Sequence, residues 1–487
     1  MSKIIKNYIY NSIYQILNLI IPIITIPYIA QALGAEGVGI NGYITSIGTI
    51  FIYIGLLGMD KYASREIAYK RENKDDLDKT FSELIVLRMI MIMIISFVYI
   101  IFALDSEYKT LMLIQYIYIV GYLIDISWLY NGLEEFKLTS VRSSIIKLIN
   151  VICLFIFVKQ PTDLWKYIFI NSILTFIGNI ILYYKIGRYV EFKKVNIKEI
   201  YKHLPATIKL FVPQIAIQLY LQIGKVIMKD FVTSTAEIAY YDQADKIVKL
   251  PLALITALST VMFPRMANEF KKNNNNKVKE YVSKSLSFTM LLGMPMAIGV
   301  FGISDTLVPW LLGNDFIPTI TTIKILSPII VAICITNVIG DQYLMATNNT
   351  KMLTVSYIIG TIVNISINFI LIPKYSYIGA SISMLITEII IVFIQLMCVR
   401  NVIKIKEIIK ITWKYVVAAM IMLIFIVILK NLVINLMMIT MIQIALGIII
   451  YFVILYGLKD EFFYYIIEKI IQKKFINKGE HVKWKLR

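Results

Sequence analysis

FSELIVLRMIMIMIISFVYIIFAL (residues 81–104) carries Glu83 and Arg88 near its start and no charge thereafter. A run of this length crosses a bilayer's hydrocarbon core as a helix, since about 20 apolar residues at 1.5 Å each cover its thickness. Its apolar character is continuous rather than alternating, which excludes a barrel strand. Working outward, comparable runs fall near 8–33, 40–59, 108–131, 141–158, 165–186, 208–230, 238–263, 284–304, 317–340, 352–372, 377–399, 411–430 and 432–457. The mean hydropathy of +0.74 belongs to such a chain and not to a soluble one. The expected fold is therefore all-α: a polytopic membrane protein of 14 transmembrane helices.

The charges between the runs orient it. Segments 1–7, 60–80, 132–140, 187–207, 264–283, 341–351, 400–410 and 458–487 hold nearly all the loop lysines and arginines, whereas the intervening loops hold only Lys159 and Lys374. This is the positive-inside asymmetry, and it predicts a multi-pass membrane protein with both termini cytoplasmic; the richness in Ile, Lys and Asn points to a bacterial cytoplasmic membrane. The net charge of +18 thereby meets anionic lipid headgroups rather than nucleic acid. The start reads as a retained helix with Lys3 and Lys6 ahead of it, not a cleaved signal. Cys153, Cys334 and Cys398 lie far apart within apolar runs and read as small core residues; His203 and His481 form no metal pair, so no metal site is expected. Gly224-Lys225 lacks the remainder of a phosphate-binding loop, so neither ATP hydrolysis nor a cofactor is expected. No loop is large enough for an enzyme domain, and the chain reads as a non-enzyme.

The basic connector 187–207 separates six runs from eight. LGAEGVGINGY (33–43) joins the first two runs, and TSTAEIAYYDQ (233–243) joins the seventh and eighth. Glu36 then falls opposite Glu237 at the same ordinal place in each half. That recurrence predicts a duplicated six-helix unit, an arrangement common among transporters. The expected domains are an N-lobe (1–190), a C-lobe (191–400), two extra helices (401–457) and a basic tail (458–487), amphipathic over 460–478.

Charges inside membrane helices are costly and usually face a bundle interior or a wet cavity. Span eight is densest, with Asp242, Asp245, Lys246 and Lys249. Either these four neutralise one another and tolerate burial, or the lysines line an anion-binding cavity that the acids tune. Lys225 and Lys324 favour the cavity, because neither has an acid one helical turn away. Lysine suits a phosphate or diphosphate as a point charge. Gln218 and Gln222, with Gln214, form a stripe able to bond sugar hydroxyls or to join helices. Asp125 either bonds Ser127 or a tyrosine locally or forms a proton or sodium site that couples transport; Glu388 carries the same alternatives. Arg88 and Lys147 lie close enough to the cytoplasmic side to snorkel. Asn18, Pro22 and Pro27 on span one mark either a gate or a static kink.

PYIAQALGAEGVGI (27–40), WLYNGLEEFK (128–137), AEIAYYDQADKI (236–247) and NISINFILIPKYSYIGASISMLITE (364–388) together resemble the Wzx-type oligosaccharide flippases of the multidrug/oligosaccharidyl-lipid/polysaccharide exporter superfamily. The resemblance covers essentially the whole chain. It implies ATP-independent movement of an undecaprenyl-diphosphate-linked repeat unit to the outer leaflet by alternating access, for capsule or another surface polysaccharide. It implies a cationic central cavity, served here by Lys225, Lys246, Lys249 and Lys324 with Asp242, Gln218 and Gln222. By analogy with a related peptidoglycan-precursor flippase, 411–457 forms a groove for the lipid tail. Coupling to H+ or Na+ is an expectation, and a glycan polymerase and glycosyltransferases are candidate partners. Many relatives carry an acid before the span-seven lysine, where this chain has Gly224. The competing readings are a cation-coupled drug exporter, which calls for an acid-rich cavity, and a membrane polysaccharide polymerase, which calls for a sizeable outer loop that is missing here.

Overall fold

The computed structural model describes residues 3–400, 405–430 and 435–476. They form helices and short connections, with no strand among them. Among the described residues, eleven helices are long and apolar enough to cross a membrane. Two helical stretches are too long for one crossing: α1 (Lys3–Leu56) would reach about 80 Å as a straight rod. It leaves helical geometry at Gly34 (φ 68°, ψ 176°), between the first two expected spans. Pro22 and Pro27 sit inside the helix without breaking it, so the change of direction falls at the glycine.

After α1 come α2 (Met59–Lys70), α3 (Lys74–Asp105), α4 (Lys109–Leu123), α5 (Ser127–Gly132), α6 (Phe136–Phe157), α7 (Leu164–Ile181), α8 (Ile197–Tyr201) and α9 (Leu204–Phe231). The charged eighth span is split at Pro251 into α10 (Ala236–Lys249) and α11 (Leu252–Lys271). Then follow α12 (Asn275–Leu311), α13 (Thr319–Leu326), α14 (Ile329–Thr336) and α15 (Thr350–Cys398). The last of these is the second overlong stretch and breaks at Ser376 (φ 47°, ψ −127°). The chain ends in α16 (Ile405–Leu429), α17 (Leu436–Gly457) and α18 (Glu461–Ile476). Counting the two breaks and the α10–α11 pair, the order of crossings follows the 14 expected runs.

By packing, the chain forms two compact units. The first is Met1–Gln243 with Tyr357–Met384; the second is Ala244–Ser356 with Leu385–Arg487. This division differs from one drawn at the repeat boundary, because α9 lies along α1 and so joins the first unit.

Within the first unit, α4 packs on α7, and α6 and α9 pack on α1. Arg88 does not snorkel. It is fully buried, donates to Asp60 at 2.6 Å, and caps the carbonyl of Tyr122 where α4 ends early. In lipid a broken helix must have its freed carbonyls satisfied from within the protein. His203, expected on a loop, is buried between the Tyr62 hydroxyl (2.7 Å) and the Glu83 carboxylate (2.8 Å). In the 158–164 loop, Lys166 and the backbone N–H groups of Lys159 and Gln160 hold the Asp163 carboxyl below its usual range.

Within the second unit, α12 is the central post against α11, α14, α16 and α17. Tyr451 donates to the Leu291 carbonyl at 2.9 Å, and Thr306 to Gln443 at 2.6 Å. The extra helices are thus bolted to α12, while Ile424, Phe425, Ile448, Ile449 and Val453 remain exposed as lipid-facing side chains. The expected amphipathic tail helix is α18, started by the Asp460 carboxylate accepting from the Phe463 N–H at 2.9 Å. Residues 477–487, with His481, lie outside the described residues. Cys334 is buried as expected, Cys153 is intermediate, and Cys398 is exposed rather than a core residue.

Candidate substrate site

In the first unit the site is built on α9. Its sequence places Gln218, Gln222 and Lys225 within two turns, with Gly224 between the last two. Lys225 Nζ donates to Asp242 Oδ1 at 2.9 Å, and the two side chains are 11% and 5% exposed. Sequence spacing predicted no acid for Lys225, and α10 supplies one from a neighbouring helix. Gln222 accepts from the Ser46 hydroxyl of α1 at 3.0 Å, and Gln218 is half-buried. Beside Gly224 lies the amide of Asn368, which donates to Asn364 at 2.9 Å; its own carbonyl oxygen is buried without a hydrogen bond. A buried, unspent acceptor is the kind of polar group that a substrate hydroxyl or water satisfies.

In the second unit, Lys249 pairs with Asp245 at 2.6 Å, one turn away as its spacing predicts. Glu388 is buried, lies within electrostatic reach of both, and makes no hydrogen bond among the described residues. Lys246 is exposed on the same helix. Lys324 is held by both oxygens of Asp305, at 2.8 and 3.0 Å, and Lys430 reaches the same carboxylate at 3.2 Å. Neither Asp305 nor Lys430 stood out in the sequence, because each sits near a span end where charges are common. No acid lies one helical turn from Lys225 or Lys324, and each is met by one from another helix, whereas Lys249 is paired as its spacing predicts.

The remaining candidates join other networks of the first unit. Asp125 accepts from the Ser127 N–H (2.8 Å) and hydroxyl (2.5 Å), closing an Asx turn at the gap between α4 and α5. Asn18 accepts from Lys147, whose ammonium also lies 5.2 Å from the Tyr14 ring centroid. Lys147 is thus anchored to the first helix rather than extended toward the headgroups.

The two junctions matched as a repeat also meet in the first unit. Ser234 lies 3.4 Å from the Glu36 carboxylate, and Thr235 donates to the Glu36 carbonyl at 3.3 Å. A Cβ on Gly39 would sit 1.8 Å from the Thr235 carbonyl oxygen. The Ser376 hydroxyl at the break of α15 donates to Glu237. This closure lies at the end of the spans opposite the basic connectors.

Residues 4–270 match the family described as polysaccharide biosynthesis protein. The chain belongs to that family. Within it, a putative O-antigen transporter of Escherichia coli (strain K12) is 26% identical over 402 residues, covering 81% of this chain and 96% of its own length. A probable low-salt glycan biosynthesis flippase of Haloferax volcanii is 22% identical over 30% of this chain and 31% of its own length. Residues 210–370 of this polysaccharide biosynthesis protein also match the MatE family. Its fold is that of the lipid II flippase MurJ in an inward closed conformation (TM-score 0.71, 21% identity, 92% of this chain and 98% of that one). An inward-facing multidrug resistance transporter of the MATE family shares the fold less fully (TM-score 0.56, 13% identity, 78% and 98%). The resemblance to Wzx-type flippases is borne out, as is the all-α transporter fold.

Proposed function

We propose that this polysaccharide biosynthesis protein is a flippase for a lipid-linked oligosaccharide, specifically an undecaprenyl-diphosphate-linked repeat unit of capsule or another surface polysaccharide. The observation that supports this most is the largely buried Lys225–Asp242 pair on membrane helices, one turn from Gln222, with the Asn364–Asn368 amides against Gly224 of the same helix. A buried ion pair is weak evidence for stability, since apolar residues of similar size often serve as well. Its natural use is exchange: a diphosphate competes with Asp242 for Lys225, and in the second unit with Asp245 and Asp305 for Lys249 and Lys324. The amides serve sugar hydroxyls. No bond is made or broken. The barrier lies in carrying a charged head through hydrocarbon, and polar side chains along the path lower it. The distribution of loop lysines supports cytoplasmic termini, and in a bacterial membrane glycosyltransferases would then supply substrate and a polymerase would consume product on the far side.

Removing the gene should lower surface polysaccharide and leave its lipid-linked precursor on the cytoplasmic face. Unchanged polysaccharide with new drug sensitivity would instead establish the second reading, a cation-coupled exporter, which the MatE match favours.

Ion coupling falls best to Glu388, a buried carboxylate without a hydrogen bond, since Asp125 is engaged in its turn. In proteoliposomes, collapsing the proton and sodium gradients should slow the wild type and leave Glu388→Gln at the same reduced rate with or without them. Gradient dependence surviving in that variant would remove Glu388 from the role.

A further inference from the structure

A second cationic site lies apart from the one described, at the end of the first unit's spans nearest the basic connectors. A cavity of about 190 Å³ opens between Tyr130 of α5, Leu138 and Arg142 of α6, and the turn that ends α7, through Ile181, Leu182, Tyr184 and Lys185. That is the liquid volume of about six waters, ample for a phosphodiester group. Tyr130 fixes the floor by donating to the Leu182 carbonyl.

Arg142 sets this cavity apart. Arg88 and Lys225, deeply placed in the same unit, each rest on a carboxylate, whereas Lys147 is anchored on the amide of Asn18. Arg142 donates to Asn179 at 2.9 Å and to the Ser127 hydroxyl at 2.7 Å, with the Asp125 carboxylate behind that hydroxyl and no direct ion pair among the described residues, and its Nε is buried with no partner. A guanidinium placed this way retains its affinity for an anion. Lys185 adds an exposed ammonium at the rim, near the ring of Tyr184, which is 85% exposed. Toward the membrane centre the same helix exposes Ile177, Ile180 and Ile181. Cations at headgroup depth, continuous with an apolar strip, fit a lipid better than a free ion.

We propose that this cavity binds the phosphate of an anionic phospholipid in the leaflet on the side of the basic connectors, with Arg142 and Lys185 on the phosphate and Ile177, Ile180 and Ile181 along an acyl chain. The bound lipid braces α5, α6 and α7 where α4 gives way to α5. The site does not depend on what the protein transports.

The test is thermal unfolding of the delipidated full-length protein titrated with phosphatidylglycerol, phosphatidylcholine or inorganic phosphate. A lipid at free concentration L that binds only the folded protein stabilises it by RT ln(1 + L/Kd), so its melting temperature climbs once the concentration exceeds Kd. Phosphatidylglycerol should stabilise the wild type at concentrations where phosphatidylcholine does not. Lys185→Gln, a change at an exposed side chain, should displace the stabilisation curve to about 5-fold higher lipid concentration. Arg142→Gln should displace it further, with Arg142→Lys intermediate. Lys198→Gln, on a connector, should leave it unchanged. Equal stabilisation by phosphatidylcholine, or a Lys185→Gln curve that overlays the wild type, overturns the site. Inorganic phosphate acting as well as the lipid overturns the lipid as its occupant.

Discussion

Alanine at Lys225 should strip the protein of export and of stability together, and a second substitution should separate the two losses. Removing one partner of a buried pair leaves an uncompensated charge, at a cost of about 3–5 kcal/mol. Asp242, 5% exposed, is the group left behind. Replacing both residues, as Lys225→Met with Asp242→Asn, removes the stranded charge. Melting in detergent should then return close to the wild-type value. Export should not return, because the cation offered to the diphosphate is gone; a loss of about 30-fold or more is expected from forfeiting such a contact. Surface polysaccharide per unit of membrane-inserted protein is the readout. A double variant that exports normally would reduce the pair to a tie between α9 and α10 and withdraw Lys225 from the substrate path.

The second large effect is expected at Gly39. Its neighbour is the Thr235 carbonyl oxygen, 1.8 Å from where a Cβ would stand, so even alanine forces 33–43 and 233–243 apart by more than about an ångström. Backbone cannot yield as a flexible side chain does, and overpacking of this kind costs about 1–3 kcal/mol. If transport requires these junctions to close, Gly39→Val should reduce export about tenfold or more. The closure itself can be observed. Cysteines replacing Glu36 and Ser234, whose side chains lie 3.4 Å apart, should be joined by a short bifunctional thiol reagent in the Gly39 protein and not in the Gly39→Val protein. Equal cross-linking in both would show that the contact survives the added bulk and would refute the steric account.

Much of this was legible beforehand. The break at Gly34 and the tail helix fall where composition placed them, because a run of apolar residues and a glycine act through neighbours in sequence. The junctions 33–43 and 233–243 were singled out as a repeat, although no pattern announced that they touch. Asp125 was read with a local bond to Ser127 as one alternative, and that bond is present. Arg88 was misplaced because snorkelling was judged from depth alone, while its partner Asp60 arrives from another helix.

The sequence alone determined that the chain crosses a membrane many times, between which runs its basic connectors fall, and which charges lie within the spans. Those properties are sums of single-residue transfer energies along a contiguous segment, so they survive without tertiary information. Tertiary structure alone decided which of the charges are balanced. Lys225 meets its acid 17 residues away and Lys324 meets its acid 19 away, each across a chain reversal. Arg142, by contrast, bonds only neutral groups directly, with Asp125 one hydroxyl behind. An ion pair forms at ångström separations between helices, and helical spacing reports only neighbours on the same helix.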